Sequence, residues 1–151
     1  MWDTIAGDAA RESPLWGEAL LPGDEQRREP VFSPLAAPEL ALGMETIYEG
    51  YLVHYGRSRL FAPPDLDTAL LLGDYLYAQG LVQVAATGNV EAVADLAELI
   101  SLCAQARAEG RNGDGPAWAA TAAGLGTGDA RDAAGSERVE RALAAHTLYV
   151  G

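Results

Sequence analysis

The 151-residue chain has no lysine: all ten basic residues are arginine, set against 22 acids, for a formal net charge of −12. That shortage excludes the clustered positive surface that nucleic acids and anionic membranes require, so neither is an expected partner. There is one cysteine, Cys103, which allows no internal disulfide and no multi-cysteine metal site. A reducing cytoplasm is the expected location. The two histidines, His54 and His146, are too far apart for an H-x-x-H or H-E-x-x-H zinc motif. No apolar run approaches the ~18 residues of a membrane span, and Met1-Trp2-Asp3-Thr4 does not open like a signal peptide. Walker, G-x-S-x-G and strand-to-helix G-x-G-x-x-G patterns are absent. Gly124-Leu125-Gly126-Thr127-Gly128 follows no strand pattern and reads as a loop. No internal repeat is visible.

About half the residues are apolar, enough for the core of one domain. The alanine and glycine excess, with arginine for lysine, is the bias of a GC-rich bacterial genome. Residues 1–36 carry Pro14, Pro22, Pro30 and Pro34, which predicts an arm of short turns. Trp2, Trp16 and Phe32 are expected to dock that arm into a groove. Helical spacing then dominates residues 37–110. Pro38-Glu39 starts a helix that runs to about Tyr55, with Leu40, Met44, Ile47, Tyr51 and His54 on one face and Gly56 at its end. Asp65 or Asp67 caps a second helix over about 65–87. That helix is apolar nearly all round, which predicts the middle of a bundle. Its Gly73 and Gly80 share a face and would let a neighbouring helix approach closely. Thr87-Gly88-Asn89 is a tight turn, and a third helix over about 90–109 buries Val93, Leu96, Ile100 and Cys103, antiparallel to the second. Residues 111–151 are alanine- and glycine-rich, with a short helix around Trp118 and a last one from Ser136 to a frayed tail. The expected fold is all-α.

Chemistry-bearing residues are few. Cys103 lies on an apolar stripe and reads as a structural thiol, and His54 as a packing residue. Asn112-Gly113-Asp114-Gly115 resembles the start of a calcium loop but lacks the closing acid, so a plain turn is expected. Glu45 and Glu49 stand four apart on one helical face, where two carboxylates can share a divalent ion and so hold a diphosphate. Arg57 and Arg59 follow and could clamp phosphate oxygens. The alternative is a solvated acidic face and two loop arginines. In an otherwise apolar helix Asp74 calls for a structural hydrogen-bond partner.

Leu70-Leu71-Leu72-Gly73-Asp74-Tyr75-Leu76 resembles the G-D-Y-L helix of the trans-isoprenyl diphosphate synthase (polyprenyl synthetase) family. Gly88-Asn89-Val90-Glu91-Ala92 is similar to the opening of that family's next helix. The likeness covers about 40–108. It implies an all-α bundle around a cavity, an enzyme that lengthens allylic diphosphates, and magnesium held by two D-D-x-x-D motifs. In the register set by Gly73, Glu45 and Glu49 stand at the outer aspartates of the first motif, Thr46 replaces the middle one, and Tyr55-Gly56-Arg57-Ser58 falls at the arginine loop. The second motif is expected beyond the last residue. The resemblance therefore implies the N-terminal half of a synthase fold with a degenerate active site, no catalytic residue, and Gly73, Asp74 and Tyr75 as structural residues. Mg²⁺ would bind only where a residual diphosphate site survives at Glu45, Glu49, Arg57 and Arg59. Half a bundle leaves apolar faces open, so the expected function is association, as a homodimer or with a larger helical protein. Two alternatives stay open: a prenyl diphosphate-binding protein or degenerate prenyltransferase, and a helical adaptor unrelated to isoprenoids.

Overall fold

The computed structural model describes residues 1–126 and 133–150, the last segment from its third residue onward with side chains. Among them are seven α-helices and no strand beyond a single antiparallel bridge between Leu20 and Phe61. The helices are α1 (Trp2–Glu12), α2 (Pro14–Glu18), α3 (Ala41–Tyr55), α4 (Leu66–Ala85), α5 (Val90–Ala108), α6 (Asp114–Gly124) and α7 (Ala133–Val150). None of the described helices is long and apolar enough to cross a membrane.

The arm contains a real helix. Prolines constrain the chain only from Pro14 onward, and the preceding eleven residues place Trp2, Ile5 and Ala9 at helical spacing. Ile5 and Ala9 are buried, and with Trp16 and Ala19 they pack against Val53, Leu60, Phe61, Leu72 and Leu76. A second apolar cluster lies on the other side of α3, where Phe32, Ile47, Tyr48 and Tyr51 meet Leu96, Leu99 and Cys103 of α5 and Trp118 of α6. Phe32 and Trp118 stack with centroids 5.6 Å apart. The arm thus docks on its own bundle.

The central helix is α3, not α4. Every residue from Gly43 to Val53 is buried, both glutamates included. The expectation that α4 would be buried all round is corrected: it lies along α3 with one face and leaves Leu66, Leu70, Leu71 and Val82 in solvent, Leu66 at 87 % exposure. Uniform apolarity gives a helix no preferred orientation, so the choice falls to backbone shape. Gly43 and Gly50 of α3 meet Gly80 and Gly73 of α4. A Cβ on Gly80 would lie 2.4 Å from Ile47 Cγ1 and 2.8 Å from the Gly43 carbonyl, and one on Gly73 would lie 2.1 Å from the His54 ring. The close approach expected of Gly73 and Gly80 is met by a reciprocal pair on α3. Asp65 caps α4 by accepting from the Thr68 amide at 2.7 Å, and Asn89 caps α5 through the Ala92 amide at 3.0 Å. Gly88, with φ +82°, makes the turn between them.

The last helix begins at Ala133 and holds its C-terminal turn rather than fraying there: Tyr149 is buried, and the Arg57 amide donates to its carbonyl at 2.8 Å. The glycine-rich loop expected around Gly128 lies partly outside the described residues.

Candidate functional site

The structure brings together three of the four residues expected at a diphosphate site, but they face one another. Glu45, Glu49 and Arg59 are each 0 % exposed. Arg59 donates from Nη1 to Glu45 Oε2 at 2.7 Å and from Nε to Glu49 Oε2 at 2.8 Å. Glu45 Oε1 accepts from the Val31 and Ser33 amides at 3.0 and 3.1 Å. Glu49 Oε1 accepts from the Ser58 hydroxyl and from the Arg59 and Leu60 amides at 2.8 and 3.2 Å. Burial opposes the charge on Arg59, but the adjacent carboxylates and their hydrogen bonds outweigh it and hold its pKa above the ordinary value. Trp2 covers the guanidinium, its ring 4.7 Å away, and Tyr48 lies 5.0 Å off.

The acidic face of α3 is therefore neither solvated nor open to a ligand. It ties two segments, 31–33 and 58–60, onto the central helix. Arg57 is separate: it is exposed and donates to the Leu148 carbonyl at 3.1 Å. Among the described residues, no three His, Cys, Asp or Glu side chains gather as a metal cage.

Helix α4 supplies packing. Gly73 makes room for His54, whose ring meets Tyr77 edge-on at 5.1 Å and whose Nε2 lies 3.0 Å from the Leu70 carbonyl. Asp74 is not buried, contrary to the sequence expectation. Its side chain is 63 % exposed and 3.4 Å from His54 Nε2, so solvent meets most of its hydrogen-bonding need. Tyr75 stacks loosely on Trp16, centroids 6.2 Å apart. Beside this helix an open groove of about 580 Å³ runs between Tyr55, Leu66, Leu70, Tyr77, Ile100 and Ala104.

A polar network that the sequence reading missed lies on the far side of α3. Tyr51 donates to Asp114 Oδ2 at 2.7 Å, and Arg107 donates to the same oxygen at 2.8 Å and to the Tyr51 hydroxyl at 3.0 Å. The stretch expected to be a plain turn thus places Asp114 at the first position of α6. Cys103 is buried beside it, and burial together with the nearby Asp114 charge pushes its thiol up to about 12, as suits a structural residue. Only the spacing of Arg107 and Asp114 across a glycine turn hinted at this pairing.

The fold is all-α. No family model matches the chain, and no curated protein or solved structure matches it either.

Proposed function

We propose that this protein is a non-catalytic, polyprenyl-synthase-like helical subunit that works by association, and that it pairs with a second copy of itself through the outward face of α4. The observation that carries this reading is the apolar row left in solvent there. Leu71 and Val82 are 57 % and 62 % exposed, with Ala78 and Ala85 exposed between and beyond them. A monomer gains nothing from leaving such a row in water. Support for a second copy comes from the row's own symmetry. In an antiparallel pair crossing at Ala78, Leu71 stands opposite Ala85, so a large side chain meets a small one, and Asp74 stands opposite Val82, so no acid meets an acid. That is the self-complementarity a two-fold interface needs. For a chain of net charge −12, a face whose only charges are Asp67 and Asp74 is also where repulsion between copies is least. The prenyl diphosphate-binding alternative loses support because Glu45, Glu49 and Arg59 are committed to one another.

The test is the mass in solution by light scattering. The expected result is twice the chain mass, falling to that of a monomer in Ala78→Arg with helicity unchanged. A wild-type chain that stays monomeric, or an Ala78→Arg chain that still dimerises, overturns the reading.

A further inference from the structure

His146 carries the observation. It projects from α7, is 6 % exposed, and its Nδ1 lies 2.7 Å from the Tyr48 hydroxyl. Tyr48 is completely buried, and this is its one hydrogen-bonding contact among the described residues. If Tyr48 accepted from the imidazole, its own proton would be buried without an acceptor, so the phenol donates and Nδ1 accepts. An accepting Nδ1 carries no proton, so the ring is neutral in this arrangement, and burial, which holds the His146 pKa below its ordinary value, favours the same form. Its one proton is then on Nε2. That N–H has no protein acceptor among the described residues, yet it is not sealed in: the ring lines a cleft of about 420 Å³.

The rest of the cleft is also rich in donors. Its wall includes Arg107, Arg111 and the first residues of α6, Asp114 and Gly115. Neither the Asp114 nor the Gly115 amide donates to a backbone carbonyl, as expected at the start of an eleven-residue helix. Arg107 commits Nε to Asp114 and Nη2 to Tyr51, leaving Nη1 unused. Arg111 sits at the mouth and pairs through Nε with the exposed Glu109 at 2.6 Å, a contact of the kind that exchanges easily with water. The Asp114 carboxylate already accepts from Tyr51 and Arg107, and Arg107 balances its charge. At Gly115 a Cβ would stand 3.0 Å from His146 Cδ2 and 3.3 Å from Nε2, so glycine keeps the space before the imidazole open.

We propose that this cleft binds the phosphate group of a small phosphomonoester. His146, Arg107 and the first residues of α6 all line this one cleft, so an imidazole N–H, a guanidinium and helix-start amides are available there, a donor set that suits a tetrahedral oxyanion. Arg111 closes over its outer oxygens, and the cleft exceeds one phosphate in size, leaving room for the esterified group. This site is independent of the α4 surface.

The experiment is a titration of the full chain with inorganic phosphate, followed by amide and imidazole NMR. The expected result is saturable shifts confined to residues 107–115 and His146, with the His146 pKa rising as the anion settles beside it. Arg111→Ala, at an exposed position, is expected to weaken binding by roughly tenfold, as loss of a charge-assisted contact does. Gly115→Ala is expected to abolish the His146 shifts while the spectrum stays dispersed. Absence of saturation, shifts elsewhere in the protein, or wild-type binding by both variants overturns the proposal. Acetate competing as well as phosphate also overturns it, since the site would then be one for carboxylates.

Discussion

Replacing Arg59 tests the central claim that Glu45 and Glu49 belong to the fold. Arg59→Met keeps most of the side-chain volume and removes the charge. Two carboxylates then remain within α3 at 0 % exposure, each without its guanidinium bond of 2.7 or 2.8 Å, and the Glu29 carbonyl loses the donor it now receives at 2.8 Å. Removing one partner of a buried ion pair costs about 3–5 kcal/mol. For a chain of this length that corresponds to a fall in melting temperature of roughly 6–20 °C. Thermal unfolding followed by far-ultraviolet circular dichroism measures it, with Arg57→Ala as the companion variant. Arg57 is exposed and makes one carbonyl contact, so its removal is expected to cost less than about 0.5 kcal/mol. A second step sharpens the test. Buried ion pairs are often replaceable by apolar residues without loss. Here the combined Glu45→Met, Glu49→Met, Arg59→Met change is expected to be no rescue, because the amides of Val31, Ser33 and Arg59 would lose their acceptors, while Leu60 would keep only the Ser58 hydroxyl at 3.3 Å. Each such orphan costs about 1–3 kcal/mol. An Arg59→Met protein that melts with the wild type, or a triple variant as stable as the wild type, would refute the reasoning.

Two further expectations concern packing. Gly80→Ala should destabilise by about 1–3 kcal/mol in urea unfolding, since its methyl meets Ile47 and the Gly43 carbonyl and overpacking outweighs the gain of roughly 1 kcal/mol in helix propensity; an unchanged or raised midpoint would contradict the α3–α4 contact. Cys103, 2 % exposed and pushed up to about 12, should react with an aromatic disulfide at pH 8 only after denaturant is added, and prompt labelling of the native protein would count against its burial.

The helices were legible where local signals agree. Of the two caps expected for α4, Asp65 is the one it uses, and Gly73 and Gly80 mark the contact with α3; Asn89, read only as part of a turn, also caps α5. The reading failed where burial depends on a distant residue. Glu45 and Glu49 look like a solvent face because a lone helix has no means of burying two acids. Arg59, across the turn after α3, supplies the missing charge, and amides from 31–33 supply the missing donors. The α4 reading failed for a different reason: hydrophobic pattern says how much surface wants cover, not which part of it a neighbour reaches. The polar network at Asp114 was hidden because its members, Tyr51, Arg107 and Asp114, come from three helices.

The same spacing that puts two carboxylates on one face of a helix can serve a metal or an arginine, and residue identity alone does not choose between them. Hydrogen-bond occupancy does. Seven donors converge on the four carboxylate oxygens of Glu45 and Glu49, and each oxygen receives at least one. A divalent ion binds through oxygen lone pairs, so it could enter only by displacing several of these bonds and lifting the 31–33 and 58–60 segments off α3. Each displaced bond to a charged group costs about 1.5–3 kcal/mol. Displacing three or four would approach the whole stability of a typical domain, about 5–15 kcal/mol. The carboxylates of Glu45 and Glu49 are thus the anchor that holds the arm and the α3–α4 loop on the central helix.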